Sequence, residues 1–268
     1  MPRANRHFLP DCIWHLTHRC HEREFLLKFA RDREKYMDWM LEAKKRYGLT
    51  VLNYIITSNH VHLLVEGGKD EECIPRSMQL MAGRTAQQYN RRKDRAGAFW
   101  EDRYHGTVVE SSRHPARCMV YIDLNMVRAG VVSDPGEWKW CGYGEIDRMP
   151  QRYRRIDRER LAWRLGLADA RQLREWQREA LERFVESCRE REAAWSESLA
   201  VGSEGFVREM KQKLGTSAGF REVEDDADVF VLREALMRYE TDSAAEGATV
   251  QQSNLVPLSR EYGDDDPA

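Results

Sequence analysis

Three stretches in the first quarter of the chain alternate apolar and polar positions and are rich in β-branched and aromatic residues: CIWHLTH at 12–18, LTVLNYIIT at 49–57 and HVHLLVE at 60–66. This pattern predicts strands. The second and third are close enough to form a hairpin through Ser58 and Asn59. Between the first and second, Tyr36, Trp39, Met40, Ala43 and Tyr47 recur at helical spacing over 32–47, and Gly48 supplies a C-terminal stop. A second helix is predicted over 73–93, with Met78, Leu80, Met81 and Ala86 on its apolar side and Arg91, Arg92 and Lys93 at its end. RYHGTVVE at 103–110 predicts a fourth strand, and 114–129 a helix closed by Gly130. Interleaved strands and helices with short links predict an α+β fold, with helices on one face of a mainly antiparallel sheet.

From about 157 the pattern turns helical throughout. Leu173, Trp176, Leu181, Phe184, Val185 and Cys188 form one stripe over 170–195, and shorter helices are expected at 203–214 and 227–239. The segment from 241 lacks periodicity, mixes Ser, Gly, Gln and Asp and ends in GDDDPA, which predicts a disordered tail. The expected organisation is therefore a catalytic domain at 1–150, an all-helical C-terminal region at 151–240 and a tail at 241–268.

Composition narrows the class without changing this outline. With 41% hydrophobic and 33% charged residues the chain is apolar enough to fold. It has no apolar run of the roughly 20 residues that a membrane helix needs and no signal-peptide pattern at its N-terminus, so a cytoplasmic location without membrane contact is expected. Six cysteines are scattered with no C-x-x-C pair, which predicts reduced thiols rather than a zinc ribbon or a disulfide framework. The formal charge of −2 conceals an asymmetry: residues 1–160 hold 29 Lys+Arg against 22 Asp+Glu, and residues 161–268 hold 14 against 23. The basic part can attract a polyanion; the acidic part cannot do so by charge alone.

Two constellations carry candidate chemistry. His60 and His62 sit two apart in a strand, so their imidazoles share a face and make half of a metal site, although the same spacing suits buried, hydrogen-bonded histidines. Tyr121 and Asn125 lie four apart in a predicted helix and project as neighbours, although a packed tyrosine and a locally bonded asparagine are the simpler reading of that spacing. The two pieces complement each other chemically. A phenol with a pKa near 10 is a weak nucleophile at neutral pH, so its attack on phosphorus calls for an activated phosphate. Two imidazoles and an amide oxygen form a neutral, partly open ligand set suited to a divalent ion that does this.

Four blocks in order, WHLTHRCHEREFLL, SNHVHLLVE, FWEDRYHGTVVES and YIDLNMVRAGVV followed by WKWCGY, resemble the REP-associated tyrosine transposases, which belong to the single-tyrosine HUH transposases. The resemblance spans residues 10–148. It implies a ferredoxin-like catalytic domain in which His60 and His62 bind Mg²⁺ or Mn²⁺, Tyr121 is the nucleophile and Asn125 takes the place of the third ligand. It further implies an endonuclease and strand transferase active in DNA transposition and recombination. Its substrate would be single-stranded DNA beside imperfect-palindrome hairpins, cut to leave a 5′-phosphotyrosine and a free 3′-hydroxyl by a monomer or homodimer. The chain departs from the family pattern at Met126, where Pro is frequent, and at Cys20, where Gly is frequent. Met126 favours an unbroken helix, and a Gly at position 20 would serve close backbone approach.

Phosphate contacts are expected from Arg84, Arg91, Arg92, Lys93 and Arg95, and from Arg152, Arg154, Arg155 and Arg158. Trp100, Tyr104 and His105 are candidates for stacking on exposed bases. The alternative from a different class is a domesticated DNA-binding protein that recognises repeat hairpins without cutting them.

Overall fold

Each strand predicted in the first half forms, and nearly every side chain along them is buried, on both faces of the sheet. The computed structural model describes residues 9–111, 114–148, 152–185, 192–226 and 229–234. It opens with β1 (Ile13–Arg19), α1 (Ala30–Tyr47), β2 (Thr50–Ile56), β3 (His60–Glu66), α2 (Cys73–Lys93) and β4 (His105–Val109). Gly48 closes α1 in the left-handed region at φ 70°, where a side chain would be strained. Thr57 N–H donates to the carbonyl of His60 and closes the hairpin between β2 and β3. Strand β1 lies at the centre, antiparallel to β3 on one side and to β4 on the other. The order β2-β3-β1-β4 is that of a ferredoxin-like sheet.

Cross-strand register assigns every side chain to a face. Thr17 faces His62, Arg19 faces His60, and Thr17 also faces His105. One face therefore carries His15, Thr17, Arg19, His60, His62, His105 and Thr107. The other carries Trp14, Leu16 and His18 with Val61, Leu63 and Val65, and it is covered by α1 and α2. Tyr36 of α1 meets Trp100 edge-on, and Trp100 in turn stacks on His18 and donates its indole N–H to the carbonyl of Ala82 in α2.

Helices are not confined to that face. The histidine face is covered by α3 (His114–Asp123) and α4 (Asn125–Arg128), backed by α7 (Leu173–Phe184). Both faces hold buried side chains, so both need a cover. Buried Asp123 of α3 accepts from Asn53 of β2 and from Gln177 of α7, tying the three together. α5 (Gly142–Asp147) and α6 (Arg158–Arg164) flank β2, whose outer edge is capped by irregular backbone: Ile56 N–H donates to Trp140, and Asp157 N–H donates to Val51. Buried Glu66 at the end of β3 is paired with both Arg160 and Arg164 of α6.

The α+β class and the antiparallel character of the sheet hold, but the C-terminal region is not all-helical. After α8 (Ala194–Glu197) the chain forms β5 (Ala200–Gly202), α9 (Glu204–Leu214), β6 (Arg221–Asp226) and β7 (Val229–Glu234). β5 runs parallel to β4, and the seven-stranded order is β2-β3-β1-β4-β5-β7-β6. The expected helix at 227–239 is instead β7 over its described part. VFVL satisfies either period locally, and pairing with β5 and β6 on both sides decides for the strand. Without β5, the outer edge of β4 would present unpaired N–H and C=O groups. The described residues belong to one compact unit that ends at residue 235. Cys188 and the segment 241–268 lie outside the described residues, and Cys12, Cys20, Cys73, Cys118 and Cys141 are free thiols.

Candidate active site

The helix that presents Tyr121 breaks one turn later. Leu124 separates α3 from α4, and the carbonyl of Tyr121 accepts a 2.6 Å hydrogen bond from the Arg128 guanidinium. The unbroken helix expected from Met126 is thus corrected: the Arg128 side chain binds a carbonyl within the break, and Met126 is buried beyond it. Cys20 is readily accommodated, since its backbone is extended at φ −66° and ψ 151°, within reach of any residue. It is fully buried and donates its N–H to Asn59.

Strand register and helix docking bring the four candidate residues together. His60, His62, Tyr121 and Asn125 line one cleft of about 560 Å³ with Arg19 and Arg128. The imidazoles of His60 and His62 stand perpendicular with centroids 4.9 Å apart. His62 Nε2 lies 3.1 Å from the Asn125 amide nitrogen, and the Tyr121 ring meets His62 edge-on at 6.0 Å. The Arg128 guanidinium sits 4.1 Å above the Tyr121 ring, on which its positive charge is attracted to the π face. Tyr121 is 3% exposed and His62 4%.

Burial sets the protonation of the site. It holds the His62 imidazolium well below its ordinary pKa, helped by neighbouring His60 and His15 and by the charges of Arg128 and Arg19. His62 is thus a neutral imidazole with one lone pair. His60 Nδ1 lies 2.7 Å from Asn59 Oδ1 and 3.0 Å from Thr57 Oγ1. The Asn59 NH₂ donates to Arg23, and the Thr57 hydroxyl donates to the carbonyl of His60, so both are acceptors toward the ring. His60 Nδ1 therefore carries a proton and acts as the donor. Among the described residues no three His, Cys, Asp or Glu side chains gather as a metal-binding cluster. The donor set that fits a divalent ion is two imidazoles and an amide, whose oxygen and nitrogen exchange places by rotation about one bond.

The other candidates are dispersed. Arg84, Arg91, Arg92, Lys93 and Arg95 belong to the α2 layer, across the sheet from the cleft. Arg92 is paired with buried Asp32, and Arg95 with Glu24. Trp100 packs between His18 and α2, and Tyr104 and His105 are half-buried, His105 bonding the Ser198 carbonyl at 2.8 Å. Arg152 and Arg154 are exposed, and Arg158 donates to the carbonyls of Glu145, Ile146 and Ala170. Three site residues escaped the sequence reading. Arg128 follows Tyr121 by seven, on the same helical face; His15 shares its face of β1 with Thr17 and Arg19. The Arg128 spacing was available as a signal, whereas for His15 only its face of β1 could be read. Trp195, fully buried with its ring 6.4 Å from Tyr121, had none.

Residues 9–125 match the family described as IS200-like transposases. No curated protein matches the chain. Among solved structures, one described as a REP-associated tyrosine transposase bound to a REP hairpin is 14% identical with a TM-score of 0.44, covering 54% of this chain and 84% of that one. A crystal structure of a transposase from Deinococcus radiodurans R1 is 18% identical with a TM-score of 0.32, covering 40% of this chain and 86% of that one.

Proposed function

We propose that this chain, whose residues 9–125 match the family described as IS200-like transposases, is a metal-dependent single-stranded DNA endonuclease and strand transferase. It acts at hairpin-forming repeats and holds the cut strand as a 5′-phosphotyrosine on Tyr121. The observation that carries this reading is the meeting of His60 and His62 of β3 with Tyr121 of α3 and Asn125 of α4, distant in sequence, in a single cleft.

In the proposed step, Tyr121 Oη forms a bond to the scissile phosphorus and the P–O3′ bond breaks. The phenolic proton is released and the leaving O3′ takes one up. One phosphodiester replaces another, so no nucleotide is hydrolysed, and attack by a 3′-hydroxyl on the phosphotyrosine rejoins DNA. Mg²⁺ or Mn²⁺ held by His60, His62 and Asn125 would supply the phosphate activation that a phenol requires. Arg128 holds the Tyr121 backbone and ring at once, and its charge favours the negative charge that develops on the phenol oxygen. Exposed Arg84 and Arg91 on α2, and Arg152 and Arg154, are the side chains proposed to meet DNA phosphates.

Near-complete burial of Tyr121 favours one other reading, a protein that binds repeat hairpins without cutting them. The two part on a covalent product. Incubation with a hairpin-bearing single strand and Mg²⁺ or Mn²⁺ is expected to yield an adduct that survives denaturation and disappears in chelator. Mass spectrometry is expected to place the nucleotide on the peptide containing CMVYIDLNMVR. Binding without any adduct, or an adduct on Tyr104 or Tyr143, would overturn the mechanism.

A further inference from the structure

Behind His62, on the histidine face of the sheet, lies a hydrogen-bonded chain whose far members, His15 and Trp195, the reaction above does not use. His62 Nδ1 lies 2.9 Å from His15 Nε2, and the two rings are stacked with centroids 5.0 Å apart. His15 Nδ1 in turn lies 2.7 Å from the backbone carbonyl of Trp195, 180 residues away. His15 is completely buried. Trp195 is held in place by its own bonds: its indole N–H donates to Glu192, and Glu192 pairs with Arg117 of α3. The following backbone is fixed by Thr107, whose hydroxyl donates to the Ser198 carbonyl at 2.6 Å.

A carbonyl can only accept, so His15 Nδ1 carries the proton. Two N–H groups cannot face each other at 2.9 Å, so one of the two facing nitrogens is bare, and in a neutral His15 ring already protonated on Nδ1 that nitrogen is Nε2, an acceptor. His62 Nδ1 must then be the donor, and the remaining lone pair of His62 is on Nε2, the nitrogen beside the Asn125 amide. Donors and acceptors run in one direction, from Asn125 through His62 and His15 to the Trp195 carbonyl.

We propose that His15, anchored on the Trp195 carbonyl, is a positioning residue that locks His62 in the Nδ1–H tautomer and so aims its Nε2 lone pair into the cleft. This deepens the metal-dependent reading and rests on it for the use of that lone pair, but the tautomer itself is a property of the metal-free protein. It also makes the segment around Trp195 a working part of the site rather than an appendage, since the acceptor at His15 Nδ1 is the carbonyl of Trp195, beyond the first 150 residues. Partners of this kind behind metal-binding histidines fix ring orientation, and their loss weakens metal binding by about 10- to 100-fold.

The test uses the full chain labelled with ¹⁵N-histidine, in chelator at neutral pH, with His62→Gln to assign the resonances. Long-range ¹H–¹⁵N spectra are expected to show His62 protonated on Nδ1 and bare on Nε2; a proton on Nε2 would overturn the proposal. Mn²⁺ binding followed by electron paramagnetic resonance is expected to weaken about 10- to 100-fold in His15→Phe. His15→Gln is expected to recover most of that loss, because its amide can donate to Trp195 and accept from His62. Wild-type Mn²⁺ affinity in a folded His15→Phe would sink the idea, as would a Gln variant no better than Phe. Should His15→Phe fail to fold, the wild-type spectrum and the Gln variant still decide. If wild type binds no Mn²⁺, the metal-dependent function fails, while the tautomer of His62 still decides the role of His15.

Discussion

His15 and His18 stand three residues apart in β1, on opposite faces of the same sheet, and both are buried. Each gives a ring N–H to a backbone carbonyl: His15 to Trp195, His18 to Asp102 at 2.8 Å. Beyond that they differ in what lies on the other side of the ring. His18 is stacked 4.0 Å from Trp100 under α1 and α2 and completes a layer of side chains. His15 abuts a second imidazole and, through it, an amide and the Tyr121 cleft. The same residue type, with the same kind of anchor, packs one face and orients chemistry on the other. What separates them is register, which sets Thr17 beside His62 and hence His15 within reach of it.

The sharpest way to break this contrast is to remove one oxygen from the cleft face. Tyr121→Phe keeps the ring between His15, His62 and Trp195, so hairpin DNA is expected to bind within about twofold of wild type. The covalent adduct and the free 3′-hydroxyl are expected to fall to background on denaturing gels. Undiminished cleavage would remove Tyr121 from the reaction.

A chain ended after Arg160 attacks the contrast from a distance. It deletes Arg164, which pairs with Glu66, the strand beside β4, and the carbonyl that anchors His15. Mn²⁺ affinity is expected to drop at least about 10-fold where the fragment remains folded. A fragment with wild-type Mn²⁺ affinity would show that the cleft face is built by the first half alone.

On the packing face, Leu16→Ala opens a cavity beside Trp14 and Gly106. It is expected to cost about 2–5 kcal/mol in denaturant unfolding while leaving Mn²⁺ affinity unchanged. A parallel loss of metal binding would mean that the two faces are not separable.

Asp123 offers a pH-dependent version of the same question. Burial raises its pKa from 3.8 to about 7, against the hydrogen bonds from Asn53 and Gln177. The folded protein therefore binds a proton that the unfolded chain has released, and stability falls as pH rises from about 4 to about 7. His15 and His62 pull the other way, because their depressed values favour the folded state less as pH falls below about 6.5. Comparison with Asp123→Asn isolates the carboxyl. The stability of wild type relative to this variant is expected to improve by a few kcal/mol, on the order of three at most, between pH 8 and pH 5. A pH-independent difference would place the carboxyl at an ordinary pKa.

The smallest expected effect is at Arg91, exposed on α2 behind the sheet. If it meets a phosphate, Arg91→Ala lowers the slope of log affinity against log salt by about one, with a uniform few-fold loss across DNA sequences. An unchanged slope would confine the DNA surface to the cleft side.

Much of this protein is written locally. Alternation places His60 and His62 on one face, 3.6-residue spacing sets Tyr121 and Asn125 side by side, and the run β1-α1-β2-β3-α2-β4 follows from apolar periods and a glycine stop. The charge asymmetry, too, is a property of the chain. Local pattern could not select His15 from eight histidines, because its role depends on cross-strand register and on a carbonyl 180 residues further on. Nor could it make 229–234 a strand, since VFVL suits either period until β5 and β6 bracket it. The break at Leu124 likewise accompanies a bond made by Arg128 back to Tyr121. Periodicity records which side of an element seeks cover; the partners that satisfy its polar groups are chosen only when distant segments meet, because backbone acceptors and sheet edges leave no mark on the side-chain pattern.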